Sequence, residues 1–495
     1  MREHIKFMIK GVVLTALIIL LLFMLNRILI PKFFYNTEWA ATSTYTGFYE
    51  MEKDTIDILF LGSSHGVSSF SPQVIYNEYG LRSYNLSGEQ QNLLVSYYWL
   101  KEALRYQRPK AVVLDTYLCF LYSVSEPLNS EEPATRKAID YMKWSSIKTE
   151  AIDAICTNDE NQSKSSYYFP NIRFHSRWTD LKEDDFTSFE LDDHYELKGY
   201  YFLPNAIQNT DYQPFTAGSS DYREDMFPLM KEYLIKITQL CKEQNIPLIL
   251  VSTPSTHVNE GRYNTIRDFA AENELSYYDF NVQELYNEIG FDFAEDCQDT
   301  GHLNYKGARK ISVKLGAILL NDYEIQPISD SQWEESREFY DYLIANQELK
   351  DITDIYQYLK AIHKDRYSIF IGVKDDASLS LNDEIIRLMQ ELGLEFPLRD
   401  QFHSSYYAAI TPEGVVEEMS TEKITMRSSF RSGRSSYEII SAGYECGNLC
   451  YITVDDYGCS RNRRGLNIVV YDNLYHKVVD SVCFDTYDAA HPCSR

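Results

Sequence analysis

One segment of the chain is too apolar to be stable in water on its own. Residues 11–26 read GVVLTALIILLLFMLN, a run without a single charged residue. Lys10 and Arg27 bracket the run, and their long side chains can reach the membrane surface. The apolar segment, residues 7–30, is long enough to cross a hydrocarbon layer of about 30 Å. No small-residue cleavage pattern follows, so we predict an uncleaved anchor over residues 1–35, with a cleaved signal peptide as the alternative.

The charges that flank this segment indicate its orientation. Arg2, Lys6 and Lys10 precede the apolar run, whereas Arg27 and Lys32 follow it. The excess of basic residues on the N-terminal side favours a cytoplasmic N-terminus. The sequence therefore predicts a single-pass protein of the cell membrane whose large C-terminal part is extracytoplasmic.

Composition argues against nucleic-acid partners but does not decide whether the cysteines form disulfides. The formal net charge of −26 repels phosphate backbones, so we expect no nucleic-acid partner. The nine cysteines form no Cys-x-x-Cys pair, and we predict no zinc site. An extracytoplasmic location permits disulfides in the C-terminal cluster, but an odd number leaves their pairing unassigned.

From Asp54 onwards the pattern alternates between short apolar runs and helical segments. TIDILFLG, KAVVLDTY, IPLILVSTPS and LSYYDF are strand-like, and helical segments separate them. This alternation predicts a parallel α/β sheet, with ligands at the carboxyl ends of its strands. Residues 31–50 fit a juxtamembrane connector. The interval from about 123 to 225 is polar and aromatic and fits an insertion over the sheet.

The character of the sequence changes after residue 325. Residues 326–349 are charged and helical, which is typical of a linker. Beyond them, β-like runs such as YSIFIGVK and LNIVVYD surround one helical segment, LNDEIIRLMQELG. The pattern predicts a second domain of the α+β class over residues 350–495.

Two distant stretches carry the residues of a serine nucleophile and its base. The first is FLGSSHGVSSF, residues 60–70, with Ser64 in the turn after a strand. The second is DTGHLNYKGA, residues 299–308, in which Asp299 and His302 are three positions apart before a helix. A serine needs a base to become nucleophilic, and a carboxylate can orient the imidazole that serves as that base.

These stretches together resemble the first and last motif blocks of the SGNH/GDSL hydrolase superfamily. With an N-terminal membrane helix, the combination is similar to the DltD-like and AlgJ/AlgX-like envelope acyltransferases, which often work with a membrane-bound O-acyltransferase. The resemblance covers about residues 54–322 and implies an SGNH-type three-layer parallel-sheet domain over residues 50–325. It also implies that Ser64 is the nucleophile, His302 the general base and Asp299 the residue that orients the base.

The resemblance is incomplete at the oxyanion hole. YNLSGEQQN, residues 84–92, resembles the second block and implies an N–H from Gly88, with Gln91 also directed into the site. The third block, Gly-x-Asn-Asp, is missing, and VLDTYL, residues 113–118, stands in its place. The side-chain donor of the oxyanion hole therefore has no candidate.

Other polar residues are weaker candidates. His65 follows the nucleophile directly, but neighbouring side chains point in different directions, so we do not expect it to be the base. FHSRWTDL, in the insertion, contains His175, Arg177 and Trp178, which could bind an anionic or sugar substrate. A structural role for the arginine and tryptophan is the alternative.

The C-terminal region has its own resemblance. FIGVKDDASLSLNDEIIRLMQELGL, RNRRGLNIVVYDN and VVDSVCFDTY resemble the ILEI-like domain of secreted cytokine-like proteins. The same domain forms the stem of a protein-O-mannose N-acetylglucosaminyltransferase. The resemblance implies a carbohydrate-binding module, and a structural or dimerising module is the alternative.

The sequence thus predicts a membrane-anchored, extracytoplasmic serine acyltransferase of the Ser-His-Asp type. It would O-acetylate a cell-surface polysaccharide through an acyl-Ser64 intermediate, without metal or cofactor. Two alternatives stay open: a polysaccharide O-acetyl esterase that uses the same triad, and a non-catalytic glycan-binding envelope scaffold. The sequence does not identify the acyl group, its donor or its acceptor.

Overall fold

The computed structural model describes residues 2–30, 41–120, 132–181, 183–186, 196–208 and 210–495. The chain divides into two compact units, Met1–Tyr340 and Asp341–Arg495. Residues 31–40 of the predicted connector lie outside the described residues. So do residues 123–131, 182, 187–195 and 209 of the predicted insertion.

The chain begins with an apolar helix, α1 (Arg2–Leu29). The most apolar 18-residue stretch of its segment His4–Leu29 has a mean hydropathy of 2.7, and none of that stretch is buried in the protein. The described residues therefore leave this stretch uncovered, and by length and composition α1 can cross a membrane.

The rest of the first unit alternates strands and helices, as predicted. Its strands are β1 (Ile58–Leu61), β2 (Ser83–Asn85), β3 (Ala111–Asp115), β4 (Leu248–Ser252) and β5 (Ser276–Asp279). Its helices are α2 (Ala41–Glu50), α3 (Ser64–Ser69), α4 (Pro72–Tyr79), α5 (Leu93–Ala103), α6 (Glu132–Tyr141), α7 (Ser146–Asn158), α8 (Lys164–Tyr168), α9 (Asn171–Phe174), α10 (Pro228–Glu243), α11 (Glu260–Asn273), α12 (Gln283–Glu288), α13 (Phe293–Asp296) and α14 (Tyr305–Asn321).

The five strands form one parallel sheet in the order β2-β1-β3-β4-β5, which confirms the predicted parallel α/β sheet. β1 lies between β2 and β3, with Ile58 opposite Ser83 on one side and Ala111 on the other. Because all strands run the same way, the loops after β1 and β3 emerge at the same edge of the sheet. This edge is where an open α/β sheet places ligands.

Helices cover both faces of this sheet, because alternate side chains of each strand enter two separate cores. Leu59 and Leu61 of β1 belong to one core, which includes residues of α5, α7 and α10. Ile58 and Phe60 belong to the other, with residues of α4 and α14. Burial on both faces explains why the central strands are continuous apolar runs.

Part of the predicted connector belongs to the core of the first unit. Residues 41–50 form α2, whose Tyr45 and Phe48 are fully buried. The Tyr45 ring stacks on Trp99 of α5 with ring centres 4.6 Å apart. Residues 41–50 of the predicted connector therefore form a helix that packs in the core of the first unit.

The second unit is an α+β structure, as predicted. Helix α15 (Ser331–Asp351) contains the boundary between the units. After it come α16 (Ile355–Ile362), β6 (Tyr367–Asp375), α17 (Asp383–Glu391), β7 (Ser405–Thr411), β8 (Gly414–Ser420), β9 (Ile424–Phe430), β10 (Ser435–Gly443), β11 (Leu449–Val454), β12 (Tyr457–Gly458), β13 (Gly465–Asp472), β14 (Lys477–Phe484) and β15 (Cys493–Ser494).

These ten strands form one curled sheet that is mostly antiparallel. β6 lies at its centre, between β13 and β10, and it also pairs with β7. Ile369 and Ile371 of β6 pack in a core with α16 and α17, whereas Phe370 packs in a second core with β9, β10 and β11. The two helices thus cover one face of the sheet.

Candidate active site

The turn after β1 is fixed by a buried carboxylate on the neighbouring strand. Ser63 caps α3, and its hydroxyl donates to Asp115 Oδ2 at 2.6 Å. The Ser63 N–H donates to the same oxygen at 3.1 Å. Gly62 allows this close approach, because a Cβ at that position would lie 2.5 Å from Asp115 Cβ. Asp115 therefore engages Ser63 and leaves Ser64 at the start of α3.

The loop before α14 is organised around a second carboxylate. Asp299 Oδ1 accepts the backbone N–H groups of Gly301 at 2.8 Å and His302 at 2.9 Å. Both carboxylate oxygens also lie within 3.0 Å of His302 Nδ1. This geometry makes Nδ1 the protonated nitrogen of the neutral imidazole, since a carboxylate can only accept a hydrogen bond.

The structure brings the two halves of the predicted site together. His302 Nε2 lies 2.8 Å from Ser64 Oγ, although the two residues are 238 positions apart. With Nδ1 protonated, Nε2 can accept the proton of the Ser64 hydroxyl. Ser64, His302 and Asp299 thus form one continuous hydrogen-bonded chain, with the geometry that activates a serine nucleophile.

The carboxylate at the end of this chain stays ionised at all ordinary pH values. Partial burial favours the neutral form of Asp299, but the hydrogen bond from His302 and the backbone N–H of Gly301 outweigh it. Together they lower the pKa of Asp299 to about 2. The negative charge is therefore available to stabilise the imidazolium that forms when His302 takes a proton.

The predicted oxyanion donors are engaged elsewhere. The Gly88 N–H donates to the Gly62 carbonyl at 3.1 Å. The Gln91 amide nitrogen donates to the Leu86 carbonyl at 2.8 Å and to Ser96 Oγ at 3.1 Å, and its oxygen accepts from the Tyr45 hydroxyl. Both groups are thus hydrogen-bonded within the protein in this conformation, and their role as oxyanion donors stays a prediction.

One residue that matters for the site was missed from the sequence. Asp115 stands where the third block was expected, and it fixes the serine turn and accepts the Tyr117 N–H at 3.1 Å. Burial raises the pKa of Asp115, and hydrogen bonds from Ser63 and Tyr117 oppose that rise. The available signal was an acidic residue at the carboxyl end of a strand in the sheet interior.

His65 lies beside the chain and is not part of it. Its ring is buried and stacks on the Tyr117 ring at a centre-to-centre distance of 3.3 Å, and it lies 5.0 Å from the His302 ring. Neither ring nitrogen has a hydrogen-bond partner among the described residues. Burial, and then the nearby charges of His302 and His257, hold the pKa of His65 well below its ordinary value. A neutral His65 does not repel the imidazolium of His302.

A cavity adjoins the site through Tyr117. It is a small, partly open cleft with a polar, aromatic and cationic lining: Asp115, Thr116, Tyr117, Phe120, Ser252, Thr253, Val258 and Arg262. Arg262 is held by Glu224 at 2.9 Å.

The other candidates, in the insertion, have different contacts. Arg177 donates to the Leu29 carbonyl at 2.5 Å and pairs with buried Asp185 at 2.8 Å. His175 Nδ1 lies 3.0 Å from the Ile172 carbonyl. Trp178 is 69 % exposed. These contacts attach the insertion to the end of α1, and the substrate-binding role of the three residues stays a prediction.

Comparison with known proteins identifies part of the second unit. Residues 327–413 match the family described as interleukin-like EMT inducer, ILEI. The match covers the predicted linker and the segment through α16, β6, α17 and β7, so an ILEI-like domain is present in the C-terminal part of the chain. No curated protein matches the sequence.

Proposed function

We propose that this protein is a membrane-anchored, extracytoplasmic serine acyltransferase of the SGNH type that O-acetylates a cell-surface polysaccharide. The observation that carries the proposal is the continuous hydrogen-bonded chain from Ser64 through His302 to Asp299. The parallel sheet, with both loops at its ligand-binding edge, supports the same fold family.

In the first half of the reaction, Ser64 Oγ attacks the carbonyl carbon of the acyl donor while His302 Nε2 takes the hydroxyl proton. The tetrahedral intermediate then collapses, and His302 returns the proton to the leaving group. The product is an acyl ester on Ser64. The Ser64 N–H, which donates to none of the described residues, is our candidate backbone donor for the oxyanion.

In the second half, an acceptor hydroxyl replaces the leaving group. His302 removes its proton, and the resulting nucleophile attacks the acyl-serine carbonyl. His302 then returns the proton to Ser64 Oγ as the ester bond to Ser64 breaks, which regenerates the free hydroxyl. A sugar hydroxyl yields an acylated polysaccharide, and water yields free acid. A membrane-bound O-acyltransferase is the partner expected to supply the acyl group, as in the envelope proteins that the first unit resembles.

A serine-reactive fluorophosphonate probe tests the nucleophile. The wild-type chain should become covalently labelled, and Ser64→Ala should remove the labelling. Ser63→Ala is the matched control, because its hydroxyl bonds Asp115, and it should keep most of the labelling. If Ser64→Ala is labelled as fast as the wild type, the nucleophile assignment is wrong.

A second assay separates transferase from esterase. The full chain is incubated with an activated acetyl ester and an unacetylated cell-surface polysaccharide, and separately with the acetylated polysaccharide. We expect acetyl groups to accumulate on the polysaccharide faster than acetate is released. Release of acetate alone, abolished by Ser64→Ala, would favour the esterase.

The second unit has a surface suited to sugar rings, which supports a glycan-binding role beside catalysis. Phe402 and Tyr444 are 58 % and 56 % exposed, and His403 lies between them with ring-centre distances of 3.8 and 4.9 Å. Exposed aromatic rings pack well on the apolar faces of pyranoses. Replacing both Phe402 and Tyr444 by Ala should weaken polysaccharide binding about tenfold. Tyr457→Ala, which removes a ring that is 78 % exposed, is the control.

A further inference from the structure

The insertion of the first unit is attached to the last turn of the apolar helix. The Asn171 N–H donates to Asn26 Oδ1 at 3.1 Å, and Arg177 donates to the Leu29 carbonyl at 2.5 Å. Arg177 is in turn fixed by buried Asp185. The segment 169–178 is therefore held at the point where α1 would leave the membrane.

This segment presents large apolar side chains to the surroundings. Phe169, Ile172 and Trp178 are 63 %, 51 % and 69 % exposed, and together we call them the juxtamembrane surface. Nearby, Trp144 is 56 % exposed and stacks on Tyr168, with ring centres 5.3 Å apart. Three large apolar side chains within ten residues are more than a water-facing surface needs.

We infer that the juxtamembrane surface inserts into the interfacial layer of the same bilayer that α1 crosses. Tryptophan and phenylalanine favour that layer, where an apolar ring meets lipid chains and headgroups. The surface is continuous with the end of α1, so a bilayer around α1 would lie next to it. The inference rests on the proposal that α1 is a membrane anchor.

Local charge does not oppose this contact. The chain carries a formal net charge of −26, but residues 169–178 contain two arginines and no acidic residue, so anionic headgroups would not repel this segment. Insertion of the juxtamembrane surface would hold the first unit against the membrane in one orientation.

Fluorescence quenching by brominated lipid tests the inference. The full chain is reconstituted in phosphatidylcholine nanodiscs with or without bromine at acyl carbons 6 and 7, as wild type and as Trp178→Phe. The difference between the two proteins isolates Trp178 from the other tryptophans, of which Trp99 and Trp333 are fully buried. We expect bromine to quench more than half of the Trp178 emission.

A set of serine variants tests whether the apolar side chains act together. The double variant Phe169→Ser, Ile172→Ser should reduce the quenching of Trp178 at least twofold. Tyr222→Ser is the matched control, since Tyr222 is 62 % exposed but lies against Gly261 of α11. Unchanged thermal melting of each variant shows that the fold is retained.

The outcomes distinguish this inference from its premise. Extraction with alkaline carbonate reports whether α1 anchors the chain. A chain that resists carbonate but shows less than a tenth of its Trp178 emission quenched overturns the inference and leaves the anchor intact. A chain that carbonate releases overturns both. Neither measurement depends on acyl transfer, so failure of the proposed activity has no effect on them.

Discussion

The sequence predicts two functional regions: the site of Ser64 and His302 at the edge of the sheet, and residues 175–178 of the insertion. Their contacts in the structure differ. At the strand edge, residues from loops 238 positions apart contact one another through polar atoms. In the insertion, Arg177 contacts α1 and Asp185, and Trp178 faces outward. Two distant motifs whose side chains must be in contact make a stronger prediction than a local cluster of suitable residue types. The structure can contradict the first prediction by placing the two motifs apart.

The largest effect should come from removing the charge at the end of the hydrogen-bonded chain. Asp299→Asn keeps the size of the side chain but cannot stabilise the imidazolium, and its amide can present a donor to Nδ1. The rate of fluorophosphonate labelling of Ser64 should fall by about 10²- to 10⁴-fold. Glu295→Gln, an exposed carboxylate close in sequence, is the control and should label normally. An Asp299→Asn rate within threefold of wild type would contradict the role of Asp299.

How much of this site the sequence could predict depends on which atoms are involved. Ser64, Asp299 and His302 follow from two motifs, and the alternating pattern predicted a parallel sheet with ligands at the carboxyl ends of its strands. The direction of a backbone N–H could not be predicted in the same way. The Gly88 N–H donates to Gly62, a pairing set by the local path of the chain after β2.

The next largest effect should be a loss of stability in Arg177→Met, with the labelling rate of Ser64 unchanged. Arg177→Met keeps a long apolar stem but removes the guanidinium that pairs with buried Asp185. Removing one partner of a buried ion pair should cost about 3 kcal/mol of unfolding free energy. Urea unfolding gives the stability, and the labelling rate of the folded fraction should stay the same. Arg173→Met, at an exposed position, should change stability by less than about 0.5 kcal/mol.

A loss of labelling in folded Arg177→Met would instead favour the original hypothesis that Arg177 binds substrate. The two regions would then act as one site, and our distinction between a catalytic role at Ser64 and a structural role at Arg177 would be wrong. This variant therefore tests the comparison more directly than any change at Ser64.

We expect substitution of Asp115 to have an intermediate effect on both the stability of the fold and the labelling rate of Ser64. Asp115→Ala leaves the N–H groups of Ser63 and Tyr117 buried without their acceptor, which should cost about 2 kcal/mol. Because the serine turn loosens, labelling of Ser64 should also slow about tenfold. Ser63→Ala keeps both of these N–H bonds. It removes the bond from the Ser63 hydroxyl to Asp115 and the cap that this hydroxyl accepts from the His65 N–H, and it should show a smaller loss in both assays. Equal effects of the two variants would show that Asp115 does not organise the turn.

The fold of residues 41–50 shows what local patterns miss. ATSTYTGFYE has few apolar residues and no clear helical periodicity, so the sequence favours a connector. Its helix is stabilised by tertiary packing, in which Tyr45 stacks on Trp99 and Phe48 is completely buried. A neighbouring helix that supplies the apolar surface overrides weak local propensity.

The smallest expected effect is a change of the unfolding free energy with pH, caused by the lowered pKa of Asp299. The folded state lowers this pKa from its ordinary 3.8 to about 2, so the folded protein releases the proton more readily than the unfolded chain. The resulting stabilisation is fully present above about pH 4 and is lost as the pH falls towards 2. The side chain is 48 % exposed, and solvent screening limits the effect to about 1 kcal/mol.

Urea unfolding of wild type and Asp299→Asn at several pH values isolates this contribution, because other carboxylates are common to both proteins. The stability advantage of the wild type should be constant from pH 6 to 5 and should shrink towards zero near pH 2. An advantage that grows on acidification would mean that Asp299 does not accept its hydrogen bonds as a carboxylate. The equivalent experiment on Glu295→Gln should show little pH-dependent difference, since that side chain is 61 % exposed and makes only a 4.0 Å contact with Lys306.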